Sequence, residues 1–188
     1  MNTDQLKREF LIAAGLVALC VAVRLGVYEG ALPYNFAAVA SAGLFAGSVL
    51  RSKLIALGVP VVSMLAADAL IGFSPVTTMI VVYAALTAPM FVGRWLRTTR
   101  WSVSLRFCAL GMTAVGASLL FYVMTNLETW IMWGMYPRSA AGLLSCYVAA
   151  LPFFKWTLAS NLLFTFGLFG LHAAARARAA APALSTAA

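Results

Sequence analysis

The residues best suited to chemistry cluster in the second half of the chain, where polar and aromatic side chains interrupt an apolar sequence. Asn126, Glu128, Trp130 and Tyr136 lie within eleven residues of one another. Aromatic walls with a few converging polar groups suit a flat, ring-containing ligand. We expect stacking by Trp130 and Tyr136 and polar or charge contacts by the others. The predicted substrate-binding residues are Asn35, Asp68, Asn126, Glu128, Trp130, Tyr136, Lys155 and Asn161.

Two structural interpretations compete with this site. Trp and Tyr are common where a membrane meets water, so the aromatic residues can also form an interfacial belt. Ionisable groups in an apolar sequence are costly and are functional candidates, but opposite charges can also pair there. Three acids and three bases of this kind could form a neutral set: Arg24, Glu29, Asp68, Glu128, Arg138 and Lys155.

Catalytic chemistry has little support in the sequence. His172 is the only histidine, and no GxxxxGK[ST] phosphate loop occurs. A histidine-assisted nucleophile or a metal-ligand set therefore has too few members. Cys20, Cys108 and Cys146 are solitary within apolar runs and are predicted to pack as small hydrophobic residues. We expect a protein that is not an enzyme and has no metal or other cofactor.

The composition indicates a membrane protein. The 188 residues are 63% hydrophobic and 10% charged, with a mean hydropathy of +0.94. A soluble domain carries far more charge. The net charge of +8 does not indicate nucleic-acid binding, because the basic residues lie between apolar runs and form no basic stripe with interleaved aromatic residues.

Six apolar stretches are long enough, or nearly so, for spans of about 20 residues. They cover residues 10–27, 36–50, 54–70, 76–92, 103–124 and 154–172. The predicted fold is all-α, a polytopic bundle of six transmembrane helices. The first stretch also resembles a signal peptide, but no small-residue cleavage site followed by a polar mature domain comes after it, so we expect it to be retained.

The positions of Lys and Arg predict the orientation, since basic residues collect on the cytoplasmic side. Ten of them fall on one side of a six-span bundle. These are Lys7, Arg8, Arg51, Lys53, Arg94, Arg97, Arg100, Arg106, Arg176 and Arg178. We expect a multi-pass protein of the bacterial inner (cytoplasmic) membrane with both termini in the cytoplasm.

Residues 140–154 are apolar enough for a further short span, which the charge pattern opposes. Pro152 suits the first turn of a final helix. We therefore predict a short helix at the outer face over 140–151, lying on or re-entering the membrane before the last span. Residues 1–175 would form one transmembrane domain, and the Ala-rich residues 176–188 a disordered cytoplasmic tail.

Small residues recur at every fourth position of the first two predicted helices. Ala14, Ala18 and Ala22 lie on the first helix, and Ala38, Ala42 and Ala46 on the second. Such stripes let helix backbones approach closely in lipid. They indicate either ordinary packing inside the bundle or a docking face for a partner protein.

Several stretches carry a family resemblance. They are Arg24 with Pro33, Asn35 and Phe36; Ala67 and Asp68 ahead of Gly72 and Phe73; and residues 125–154, with Asn126, Trp130, Gly134, Tyr136, Pro137, Cys146 and Tyr147. Together they resemble a family of uncharacterised bacterial membrane proteins that is similar to the substrate-binding S components of energy-coupling factor (ECF) vitamin transporters.

The resemblance implies a six-helix protein that captures a vitamin-like micronutrient, heterocyclic in our expectation, from the outer side. A transmembrane coupling subunit and cytoplasmic ATPases would then drive its release. It also implies that Ala14, Ala18 and Ala22 dock to the coupling subunit. The alternative function is that of a structural or partner-binding membrane protein without transport activity.

Overall fold

Residues 2–180 of the computed structural model, which are those described, form six α-helices and no strands. The helices are α1 (Thr3–Tyr28), α2 (Val39–Val49), α3 (Lys53–Ile71), α4 (Val76–Thr98), α5 (Val103–Met132) and α6 (Ala140–Ala180). All except α2 are long and apolar enough to cross a membrane. The predicted all-α fold and number of helices are confirmed for the described residues.

Consecutive helices run in opposite directions, so their connections alternate between two ends of the bundle. Arg94 of α4 donates hydrogen bonds to the backbone oxygens of Leu50 (2.9 Å) and Arg51 (3.0 Å) in the α2–α3 connection. His172, near the last turns of α6, packs edge-on against Phe45 of α2. The ten basic residues assigned to one side by the sequence therefore lie at one end, which we call the basic end.

Helix α2 lies in the centre of the bundle. Its residues from Val39 to Ser48 are all buried, and α3, α4 and α6 pack around it. It crosses α4 so closely that a Cβ at Gly47 would overlap the carbonyl oxygen of Met90, and a Cβ at Gly93 would overlap that of Leu44. Glycine at both positions lets the two backbones touch.

Helix α6 corrects the prediction for residues 140–151. The sequence indicated a separate short helix there, with Pro152 opening the last span, but α6 continues through Pro152 without a break. The preceding Ala-rich segment favours helix. It also packs on α5, because Tyr122 donates to the backbone oxygen of Tyr147 at 2.6 Å. These contacts hold the segment in line with the rest of α6.

Most helices extend beyond the apolar stretches from which they were predicted. Helix α1 begins at Thr3 and includes Glu9, and α4 continues to Thr98 through its arginines. Charged residues continue these helices where they find backbone partners, as Glu9 does at Arg51 and Arg97 does at Leu50. Residues 176–180, assigned to the tail, are helical, and residues 181–188 lie outside the described part.

Candidate functional site

The predicted aromatic residues lie in the turn between α5 and α6. The Nε1 of Trp130 donates to the backbone oxygen of Pro137 at 3.0 Å, and Arg138 donates to that of Ile131 at 2.7 Å. Gly134 takes a left-handed conformation with φ 63°, which glycine adopts without strain. Trp130 and Tyr136, both half-buried, are thus part of a tightly bonded hairpin turn.

Glu128 and Asn126 are engaged close to this turn. The buried carboxylate of Glu128 accepts hydrogen bonds from the hydroxyl of Thr78 on α4 (2.6 Å) and the Nε1 of Trp133 (3.2 Å). Asn126 donates to the backbone oxygen of Tyr122 at 2.7 Å. Its own backbone oxygen accepts from the thiol of Cys146 at 3.4 Å. Both residues therefore connect α5 to its neighbours.

Asp68 lies in a cluster between α1, α3 and α4. It forms a salt bridge with Arg24 and accepts a hydrogen bond from the hydroxyl of Tyr83 at 2.5 Å. Arg24 also reaches the sulfur of Met64 at 2.9 Å. The Nε of Arg24 is buried without a hydrogen-bond partner among the described residues. This cluster is separate from Asn161.

Asn161 belongs to a buried set of side chains that we call the polar network: Ser41, Ser118, Asn161 and Thr165. The Nδ2 of Asn161 donates to the hydroxyl of Ser118 at 2.9 Å. Ser41 donates to the backbone oxygen of Asn161 and accepts from Thr165, each at 3.0 Å. Within residues 2–180 these bonds leave the Oδ1 of Asn161 without a donor. The network joins α2, α5 and α6.

The connection between α1 and α2, residues 29–38, lies against α6 beside the polar network. The backbone N–H of Ala37 donates to the hydroxyl of Ser160 at 3.2 Å, and Thr157 donates to the backbone oxygen of Asn35 at 3.4 Å. Tyr34 packs edge-on against Phe153. Asn35 has a left-handed φ of 65°, which asparagine tolerates better than most residues. This irregular segment precedes α2, which at 11 residues is about half as long as a membrane span.

The eight predicted residues therefore do not converge on one place. Asn35 lies against α6 close to the position of Asn161 on that helix. Helix α6 begins at Ala140, about 20 Å along its axis from Phe153 at about 1.5 Å per residue, so the aromatic turn lies well beyond Asn35. Lys155 is exposed, with its Nζ 5.3 Å from the ring centre of Trp156.

Sequence reasoning missed the partners of Asn161. One signal was present, because Thr157, Asn161 and Thr165 recur every four residues and so share one face of a helix. Nothing in the sequence indicated that Ser41 and Ser118 would meet this face.

The two small-residue stripes have different surroundings. Ala38, Ala42 and Ala46 are fully buried in the core. On α1, which packs against α2 and α3, Ala14, Ala18 and Ala22 are exposed.

Two cavities lie away from the predicted site. One, of about 600 Å³, is an apolar groove between α4 and α5 beside Trp95 and Trp101. The other, of about 890 Å³, lies at the basic end and is lined by Arg, Glu and apolar side chains. Within residues 2–180 no group of three His, Cys, Asp or Glu residues is placed to hold a metal ion.

Comparison with known proteins gives one match. No curated protein and no solved structure matches the chain. The model of one family, described as "Family of unknown function (DUF6580)", matches residues 4–184. Because this match covers nearly the whole chain, the protein belongs to that family of unknown function.

Proposed function

We propose that the chain is a multi-pass protein of the bacterial inner membrane with both termini in the cytoplasm. Five helices long enough to cross a membrane support this placement. Large apolar side chains such as Leu11, Ile80 and Leu163 are more than half exposed on the outside of the bundle, where lipid would cover them. Arginines and lysines collected at one end favour that end as cytoplasmic.

We further propose that it binds and takes up a small, vitamin-like micronutrient, in the manner of an ECF S component. The observation that carries this proposal is that helix α2 has only 11 residues and is preceded by the irregular residues 29–38, which pack against α6. Non-helical backbone at membrane depth is tolerated where it is buried in protein or lines a cavity. In transporters, interrupted helices mark the substrate site.

The chemistry beside this segment suits a polar, ring-containing ligand. The Oδ1 of Asn161, which accepts no hydrogen bond within residues 2–180, would accept one from the ligand. The hydroxyls of Thr157 and Ser160 beside it already hold the backbone of residues 35 and 37. Tyr34 and Phe153 supply aromatic faces next to them. We therefore centre the proposed site on Asn35 and Asn161, and leave the aromatic turn at Trp130 and Tyr136, about 20 Å away along α6, outside it.

Release of the ligand would need energy from partners. We propose that the exposed face of α1 at Ala14, Ala18 and Ala22 docks to a transmembrane coupling subunit that carries cytoplasmic ATPases. Small side chains favour this role, because they let a partner helix approach the backbone closely.

A second candidate is a structural or partner-binding membrane protein without transport activity. The hydrogen bonds of Glu128 and the salt bridge of Asp68 favour it. Both carboxylates already join helices, as expected of structural clamps.

Mass spectrometry of small molecules released from the purified full-length chain tests binding and separates the two candidates. We expect one compound to recur across preparations. The variant Asn161→Leu should lose it, while Leu163→Ala, which alters an exposed position two residues away, should keep it. Thermal unfolding of both variants checks that they are folded. If the wild type carries no compound, or if folded Asn161→Leu retains it, the proposed site is wrong.

A further inference from the structure

Several helices contribute to the cavity at the basic end. It lies between α1 on one side and α5 and α6 on the other, with the end of α2 beneath it. Helix α1 packs against α2 and α3, and its backbone does not approach that of α5 or α6 within residues 2–180. This gap would give the cavity an entrance from the side of the bundle.

Five arginines from five different parts of the fold line this cavity. They are Arg8 of α1, Arg51 of the α2–α3 connection, Arg97 of α4, Arg106 of α5 and Arg176 of α6. The only salt bridge within residues 2–180 joins Arg24 to Asp68 at the other end. None of the five is thus neutralised by a salt bridge to a described carboxylate.

Glu9, the one acidic residue in the lining, is already engaged. Its two carboxylate oxygens accept hydrogen bonds from the backbone N–H groups of Arg51 and Ser52, each at 3.0 Å. The cavity therefore keeps a strong excess of positive charge. Arginine suits phosphate in particular, because its planar guanidinium can donate two parallel hydrogen bonds to one phosphate group.

The inner part of the same cavity is apolar. Ile12 lies one helical turn beyond Arg8, and Leu110 lies one turn beyond Arg106. Phe107 and Phe166 stack with their ring centres 4.5 Å apart and form part of the wall. The cavity thus has a cationic rim and a hydrophobic interior.

We propose that this cavity binds an anionic phospholipid from the surrounding bilayer. Arg8, Arg106 and Arg176 hold the phosphate of the headgroup, Arg51 and Arg97 add positive charge while bonded to Gln5 and Leu50, and the apolar wall holds part of an acyl chain. Basic pockets between transmembrane helices on the cytoplasmic side are known sites for anionic headgroups. A general bias of arginine to one side would spread the charges over that end, whereas here five elements each contribute an arginine to the lining of one cavity. The inference rests on the proposed membrane placement but not on the proposed uptake function.

The test uses the full-length protein in nanodiscs of equal parts phosphatidylcholine and phosphatidylglycerol. Lipids that remain bound after transfer to detergent are measured by mass spectrometry. We expect phosphatidylglycerol to be enriched over phosphatidylcholine. The double variant Arg106→Gln/Arg176→Gln should lower this enrichment by about tenfold or more, because each basic residue near an anionic surface adds to the attraction.

The matched control is Arg100→Gln/Arg178→Gln, which removes the same charge from the same end but not from the lining of the cavity. It should keep the enrichment. Asn161→Leu should keep it as well, which separates this inference from the proposed uptake site. Equal thermal unfolding of both double variants in lipid-free detergent shows that they are folded.

Three results would overturn the inference. The first is a wild type without enrichment of phosphatidylglycerol. The second is an equal loss in both double variants, which would indicate general surface charge. The third is stabilisation by millimolar inorganic phosphate that requires Arg106 and Arg176 while neither lipid is preferred, which would indicate a soluble anion.

Discussion

Arg24 on α1 and Asp68 on α3 form a salt bridge whose carboxylate also accepts a hydrogen bond from Tyr83 on α4. One carboxylate thus joins three helices. No other salt bridge occurs within residues 2–180.

Replacing Arg24 with Met should destabilise the bundle by about 3–5 kcal/mol, because it leaves the buried Asp68 charge unpaired. Thermal unfolding in detergent measures the loss. Lys155→Met, which removes an exposed cation, serves as the control and should unfold near the wild-type temperature. Adding Asp68→Asn to Arg24→Met should recover part of the stability. Equal unfolding temperatures for Arg24→Met and Lys155→Met would show that the salt bridge between Arg24 and Asp68 does not stabilise the bundle.

Gly93→Ala should disrupt the crossing of α2 and α4. Its Cβ would overlap the backbone of Leu44, and relief of such a contact costs about 1–3 kcal/mol or more. Gly116→Ala is the matched control, because a Cβ there meets nothing within 4 Å. The variants can be compared by thermal unfolding and by yield of monodisperse protein. If Gly93→Ala and Gly116→Ala give the same unfolding temperature and yield, the backbones of α2 and α4 do not touch at Gly93.

Glu9→Ala should loosen the α2–α3 connection. Two backbone N–H groups would lose their acceptor, at about 1–3 kcal/mol for each group left buried and unsatisfied. Asp4→Ala removes an exposed carboxylate from the same helix and should have little effect. Hydrogen exchange of residues 51 and 52 reports the change directly. Unchanged exchange in Glu9→Ala would show that the carboxylate does not hold this connection.

Trp130→Ala distinguishes a ligand position at the aromatic turn from one at Asn161. If the ligand stacks on Trp130, its affinity should fall in this variant. If Asn161 holds the ligand and Trp130 only closes the turn through Pro137, Asn161→Leu should lose binding while Trp130→Ala loses little. Binding by purified protein, measured with the compound found by mass spectrometry, decides between these positions. Wild-type affinity in both Trp130→Ala and Asn161→Leu would exclude both residues as ligand contacts.

Cysteine labelling tests the orientation. In a background without the native cysteines, Met135→Cys should react with a membrane-impermeant maleimide added to intact spheroplasts, because Met135 lies in the α5–α6 turn opposite the basic end. Ala174→Cys near the end of α6 should react only after permeabilisation. Reaction of Ala174→Cys from outside would reverse the proposed topology.

The sequence predicted the helices well because apolar runs alternate with charged residues, glycine and proline. Their ends were less predictable. Residues such as Glu9 and Arg97 belong to helices although they are charged, because each finds a backbone partner in the α2–α3 connection. Pro152 misled the interpretation of α6, since packing of Tyr122 on Tyr147 outweighs its local effect.

The candidate site was predictable only in part. Asn161 stood out as an amide in an apolar run, but Ser41 and Ser118 are small polar residues of a kind that occurs throughout such runs. Their convergence depends on the crossing of α2 with α5 and α6, which no local pattern encodes. Trp130 and Asp68 were identified by residue type, yet Trp130 bonds within the α5–α6 turn and Asp68 joins α1, α3 and α4.

The central position of α2 also has a consequence for the order of assembly during synthesis. Ser41 reaches its partners Asn161 and Thr165 across 120 and 124 residues of chain. The ribosome must therefore complete nearly the whole protein before its second helix can finish packing. Until then this glycine- and alanine-rich segment can be covered only by the helices already made, chiefly α3 and α4. Truncations within α6 should therefore leave an early helix exposed to quality-control proteases, although the damage lies at the far end of the sequence.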